Sequence, residues 1–192
     1  MWDPIGHFKT ITTHKIMVMK HCFRLGLYRQ GLLHDLSKYL PVEFLVGAKY
    51  YQGTQSPNNA ERLDKGYSAA WLHHKGRNKH HFEYWIDYQA DVEGHPVGGM
   101  KMPRRYVAEM LADRVAASKV YNKDTYNRHH PLQYFLKGKH HYMMHPDTMN
   151  ELEYLLRILD RKGEDACFRY TRYVYLKGKE IPKRETWDTP LR

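Results

Sequence analysis

Cysteine is scarce in this chain: Cys22 and Cys167 are the only two among 192 residues. Two thiols cannot build a disulfide framework or a multi-cysteine zinc site, and a reduced, cytoplasmic compartment is the one expected. Long apolar runs are missing as well. No stretch reaches the roughly 18 apolar residues that a transmembrane helix needs. The opening segment MWDPIGHFKTITTHK has no apolar core of signal-peptide length. There are no repeats and no low-complexity tracts. Acid is short relative to base, with 21 Asp and Glu against 31 Lys and Arg, a net charge of +10 and a pI near 9.5. That balance favours anionic partners such as phosphorylated metabolites, nucleotides, nucleic acid or an acidic membrane surface, without choosing among them. A solvated basic face accounts for it equally well.

What is present describes an ordinary globular chain, with 42% hydrophobic and 27% charged residues and a length that suits one domain. Apolar spacing through Ile11, Met17, Val18, Phe23 and Leu25 predicts a helix over residues 8–27, capped by Thr10, Thr12 or Thr13 and ended by Gly26. A second helix carries YRQGLLHDLSKY and stops before Pro41, which opens a third, PVEFLVGAKYY. The segment QGTQSPNNAERLDKG is predicted as loop. A helix resumes at YSAAWLHH, is interrupted by KGRN and continues with KHHFEYWIDYQ, and DVEGHPVGG is a second loop. MPRRYVAEMLADRVAASKVY, with Pro103 at its start, carries the clearest helical signal. After a polar loop, DTMNELEYLLRILDRKG forms an amphipathic helix with an Asp or Thr cap and a stop at Gly163. YVYL, further on, suits a short strand or a fraying helix. The expectation is an all-α protein with one domain over residues 1–165 and a C-terminal tail over 166–192.

Histidine is abundant. Eight of the 14 histidines fall in the adjacent pairs 73/74, 80/81, 129/130 and 140/141. Imidazole suits zinc, iron, nickel and copper, whereas carboxylates bring in manganese and magnesium, so mixed His and Asp ligands point to a divalent transition metal. His14, His34, Asp35 and Asp113 are each embedded in apolar sequence, where an unpaired charge is costly and metal coordination offsets the cost. Around Asp113 the small Ala112, Ala116 and Ala117 let a neighbouring helix approach, and Glu109, one turn earlier on the same face, is available to pair with Asp113 or to support a ligand from behind. An ordinary ion pair of Asp113 with Arg104, Arg105 or Arg114 is the alternative.

The run THKIMV, then GLLHDLSK, then MLADRVAAS resembles the HD-domain superfamily of metal-dependent phosphohydrolases. The chain looks most like a bacterial branch of it that has no assigned function. The resemblance covers residues from about 10 to 120 and implies an HD-type helical fold. It also implies that His14, His34, Asp35 and Asp113 hold a metal. His21 rivals His14 for the first place, but it lies only 13 residues before His34, against 20 for His14, and two antiparallel helices with a turn need the longer separation. The resemblance further implies that His34 and Asp35 sit on a helix wall facing one ion. Lys38 would then contact substrate phosphate, and Glu43 would be either a buried acceptor or a helix-start carboxylate.

The segment WLHHKGRNKHHFEYW lies between the two halves of this pattern. By the same resemblance His74 and His80 add ligands for a second ion. His81 and Lys38 are assigned catalytic roles, and Arg77 and Asn78 are assigned to the substrate. His73 points elsewhere on a helix, and His129, His130, His140, His141 and His145 belong to the surface or an interface. The implied activity is hydrolysis of a nucleotide or other small phosphorylated metabolite by a metal-activated water, with one or two ions of Mn, Co, Ni, Zn or Fe. Two alternatives stand beside it. One is an HD-type diiron oxygenase using the same ligands. The other is a non-enzymatic basic protein with a structural metal, for which the tail KGKEIPKRETW suits nucleic acid. Nucleic acid is not the favoured partner, because no recognised nucleic-acid motif accompanies that tail. No membrane partner is expected, and nothing in the chain specifies an oligomer.

Overall fold

Asp3 and Pro4 start the first helix earlier than its apolar spacing predicts. The computed structural model describes residues 2–90, 92–94, 96–182, 184 and 187, and in it helix α1 spans Pro4–Leu25. Asp3 caps it by accepting from the Gly6 amide at 2.7 Å, and Pro4 takes the first helical position, where no amide hydrogen is missed. The end is as expected, with Gly26 left-handed at φ 78°.

Eight further α-helices follow among the described residues: α2 (Tyr28–Leu33), α3 (Pro41–Lys49), α4 (Pro57–Lys65), α5 (Ala69–Lys75), α6 (Arg104–Asn122), α7 (His130–Gly138), α8 (Pro146–Lys162) and α9 (Glu164–Tyr173). The protein is an all-α single domain whose β-structure, among these residues, is one short antiparallel hairpin. Its strands β1 (Ile86–Tyr88) and β2 (Val97–Gly99) pair Ile86 with Gly99 and Tyr88 with Val97.

Several expectations need correction, among them the polar loop after α6, which contains α7, and the loop DVEGHPVGG, which ends in β2. The stretch predicted as loop around residues 52–66 contains α4, because Pro57 suits a first helical position and Gly66 ends the helix at φ 79°. The helix predicted through KHHFEYWIDYQ is instead a 3-10 turn, Phe82–Trp85, followed by β1. The domain end expected at residue 165 falls inside α9, and the core runs past it. Cys167, Phe168, Tyr175 and Trp187 join the buried cluster, so the first part of the expected tail belongs to the helical body. The YVYL stretch contributes a 3-10 turn, Tyr175–Lys177. Parts of KGKEIPKRETW lie outside the described residues.

Helix α6 is the centre of the core. Ala108, Ala112 and Ala116 are fully buried at four-residue spacing, and such small side chains let the α1 and α8 backbones approach. Val18 and Cys22 of α1, and Leu152, Leu155 and Leu159 of α8, are likewise fully buried. Since α1 and α6 both border the candidate ligands, the best-packed part of the molecule is also what positions the site.

Candidate metal centre

The His34–Asp35 doublet does not sit on a helix wall. Helix α2 ends at Leu33, His34 turns to extended backbone at ψ 128°, and Asp35 is left-handed at φ 54°. On a continuous helix the two side chains would diverge by about 100°; breaking the helix between them lets both point inward. Asp is one of the few residues that tolerates the left-handed region. Two neighbours fix the break. Lys15 donates to the carbonyls of Leu32 and His34 at 2.8 and 2.9 Å. Gly31 lets α2 lie against α1, since a Cβ there would fall 2.9 Å from Cys22 Cβ and 3.1 Å from the Met19 carbonyl.

The break places Asp35 between two groups of side chains. Its Oδ2 lies 3.7 Å from His14 Nε2 and 3.3 Å from His34 Nε2. Asp113 Oδ1 completes that group, 2.9 Å from His14 Nε2 and 3.7 Å from His34 Nε2. Asp35 Oδ1 faces the other way, 3.3 Å from His74 Nε2 and 3.4 Å from His80 Nε2. His81 joins there, with its Nε2 2.9 Å from that of His74. In each group the facing atoms lie within 4.8 Å of one another. The Nε2 atoms of His14, His34 and His80 and both oxygens of Asp35 are buried and make no well-formed hydrogen bond; their close contacts, including Lys38 Nζ 2.6 Å from Asp35 Oδ2, are charge contacts. Buried polar atoms are rarely left unpaired, and His with Asp is the donor set of a divalent transition ion. These clusters can hold a metal ion.

Two buried glutamates orient the rings from behind. Glu109 Oε1 accepts from His34 Nδ1 at 3.0 Å and lies 3.3 Å from His80 Nδ1, while its Oε2 accepts from Gln30 at 2.6 Å. Glu43 takes His74 Nδ1 at 2.8 Å and His73 Nδ1 at 2.6 Å. The contacts to His34, His80 and His74 leave the opposite nitrogen of each ring, Nε2, facing the centre. The sequence offered Glu109 as a carboxylate to pair with Asp113 or to support a ligand from behind, left Glu43 between two roles and set His73 aside. No local spacing reveals these bonds, because Glu43 and Glu109 lie 31 and 75 residues from the histidines they hold.

Burial lowers His34 and His74, but Asp35 and the neighbouring carboxylates outweigh it and hold both rings above the ordinary imidazole value. Burial raises the Asp35 carboxyl, but the His34 and Lys38 charges outweigh it and hold the group well below the carboxylate range. Asp113 is likewise ionised: burial raises it, and the facing His14 and His34 rings outweigh that and hold it well below the carboxylate range. Glu109 is brought down to about 2 by His34 and His80 against its own burial. Burial, reinforced by Lys38, lowers His14, and burial with neighbouring His80 and His74 lowers His81 further. Those two rings are therefore neutral and have lone pairs to give.

The centre opens onto a cavity of about 780 Å³ lined by His14, Lys38, His74, His81 and Asp113 among others. Lys38 reaches it, yet its Nζ rests 2.6 Å from Asp35 Oδ2. The other residues assigned to substrate are placed differently. Arg77 is exposed, with its guanidinium 3.4 Å from the His73 carbonyl, and is not among the lining residues. Asn78 donates to Ser37 Oγ at 2.9 Å and to the His74 carbonyl at 2.8 Å, which makes it a brace for α5. His21 is absent from both groups; its Nδ1 donates to the Ala112 carbonyl at 3.2 Å. His129 pairs with Asp160 at 2.6 Å on the surface.

The family model described as "Family of unknown function (DUF5662)" matches residues 4–158, which takes in every residue of the centre. No curated protein and no solved structure matches the chain.

Proposed function

The chain belongs to the DUF5662 family, a family of unknown function, and from its centre we propose that it is a metal-dependent phosphohydrolase acting on a nucleotide or another small phosphorylated metabolite. One observation carries this: Asp35 presents its two oxygens to two groups of ligand atoms, among them the buried and unpaired Nε2 of His14, His34 and His80, beside a cavity lined by Lys38 and Arg114. His14, His34, Asp35 and Asp113 would hold one ion of Mn, Co, Ni, Zn or Fe, and Asp35, His74, His80 and His81 a second. A bound ion of this kind supplies a water of lowered pKa and polarises a phosphoryl oxygen.

The chain's own residues do the rest. Glu109 and Glu43 lock the ring orientations. Lys38, held at the mouth of the centre by Asp35, brings positive charge to an incoming phosphate. The order His14, His34–Asp35, Asp113 and its likeness to the HD-domain superfamily support the same reading. A diiron oxygenase is the second reading, favoured by the second group, in which three histidines accompany one carboxylate. No helix among the described residues is long and apolar enough to cross a membrane, and the two buried free cysteines support a reducing, cytoplasmic setting.

The test is elemental analysis of protein purified without added metal, followed by a screen of phosphate esters. Asp35→Asn keeps a side chain that tolerates the left-handed backbone and removes the shared carboxylate. It should abolish metal retention and phosphate release while leaving helicity intact. Two irons per chain, oxygen uptake and no phosphate release from any ester would replace the hydrolase with the oxygenase. Full metal occupancy in Asp35→Asn would dismiss the centre itself.

A further inference from the structure

Arg114 is the neighbour of Asp113 on α6 and lines the same cavity. Its guanidinium lies 5.7 Å from the centres of both the Phe135 and the Tyr142 rings. Its NH1 is buried without a hydrogen-bond partner, and no carboxylate lies within ion-pairing distance among the described residues. Glu83 is close enough to feel its charge but makes no ion pair with it. An unpaired buried guanidinium nitrogen is costly. A guanidinium also offers a rigid fork that matches a phosphate or carboxylate in two parallel hydrogen bonds, as a lysine cannot. Lys38, by contrast, is already committed to Asp35 at 2.6 Å, and Arg77 faces solvent.

We propose that Arg114 clamps the substrate's phosphate through its guanidinium, beside the point charge of Lys38, with the Phe135 and Tyr142 rings holding the guanidinium toward the cavity. This rests on the phosphohydrolase assignment for the identity of the anion, and the assignment to Arg114 rests on its unpaired nitrogen. The cavity, at about 780 Å³, is far larger than phosphate alone requires and is in the range of sites that enclose a drug-sized ligand, roughly 300–1,000 Å³. The phosphate is then one end of a larger molecule whose remainder fills the cavity.

The experiment measures binding rather than turnover. Inorganic phosphate is titrated calorimetrically into the parent, Arg114→Met and Arg114→Lys, each checked for helicity and metal content. Arg114→Met keeps the apolar stem against the two rings. The parent should bind phosphate saturably, Arg114→Met at least about 10-fold more weakly, and Arg114→Lys in between, as expected for loss of charge-assisted hydrogen bonds. Phosphate should raise the melting temperature of the parent and not that of Arg114→Met, and the methionine variant without phosphate should be no less stable than the parent. Equal phosphate affinity in the parent and Arg114→Met, or no saturable binding by the parent, would overturn the proposal. So would a large fall in melting temperature with an unchanged phosphate response, because Arg114 would then be a packing residue. Hydrolysis that persists in Arg114→Met with its KM unchanged would remove Arg114 and leave the hydrolase standing. Phosphate binding that depends on Arg114, with no ester hydrolysed, would do the reverse.

Discussion

Glu109 accepts a hydrogen bond from His34 Nδ1 at 3.0 Å, and this bond decides which ring nitrogen of His34 faces Asp35. The same carboxylate oxygen lies 3.3 Å from His80 Nδ1, so one side chain sets the aim of a histidine in each of the two groups. Glu109→Gln keeps an acceptor and removes the charge. It should weaken metal affinity about 10–100-fold, the usual cost of losing such a partner, while the chain stays helical. Competition with a chelator reads the affinity, and a value equal to the parent's would show that the rings hold their orientation without Glu109.

His14 and His21 lie two turns apart on α1 and differ in what they touch. His14 Nε2 is 2.9 Å from Asp113, whereas His21 bonds the Ala112 carbonyl and packs against Phe168 with ring centres 5.1 Å apart. His14→Ala should lose metal affinity with little change in the melting temperature of the metal-free chain. His21→Ala should retain metal and melt lower. The reverse pattern, read by mass spectrometry and thermal melts, would move the first ligand to His21.

His21 also carries a pH dependence. Burial is the largest cause that lowers it, and it titrates at about 4 in the fold, against about 6.5 in an unfolded chain. The unfolded state therefore binds a proton between these values and the folded state does not. Stability from the neutral ring is fully present above about pH 6.5 and declines as pH falls toward 4, by on the order of 2–3 kcal/mol. His21→Gln, which can still donate to the Ala112 carbonyl, should lose less stability than the parent between pH 7 and 4.5 in urea titrations. Parallel pH profiles for the two would refute this.

Lys38 tests the reaction. Lys38→Met retains much of the stem and removes the charge now on Asp35. Metal affinity should be unchanged or tighter, since the ammonium and a cation compete for the same carboxylate oxygen. Catalytic efficiency on the best phosphate ester should fall about 10–1,000-fold, roughly 1.4–4 kcal/mol. Kinetics equal to the parent's would take Lys38 out of the substrate site.

By itself the sequence determined the helical class, the ends of the clearest helices and the chemistry available to a centre. Pro103 borders α6 and Gly163 follows α8 because proline and glycine act through their own backbone, a local effect that can be read locally. His14, the His34–Asp35 pair and Asp113 stand out because polar residues in apolar runs need a reason. Tertiary structure alone decided how those residues are used. It ended the helix at Leu33, turned one carboxylate toward two groups, and recruited Glu43 and Glu109 to His74 and His34 from 31 and 75 residues away. It also set Arg77 in solvent and Arg114 in the cavity, although the sequence offered Arg77 to the substrate and Arg114 only as an ion-pair partner for Asp113. Helical spacing reports which neighbours share a face; which face meets which is settled only when α1, α3, α5 and α6 pack together and their buried polar atoms must find partners across the chain.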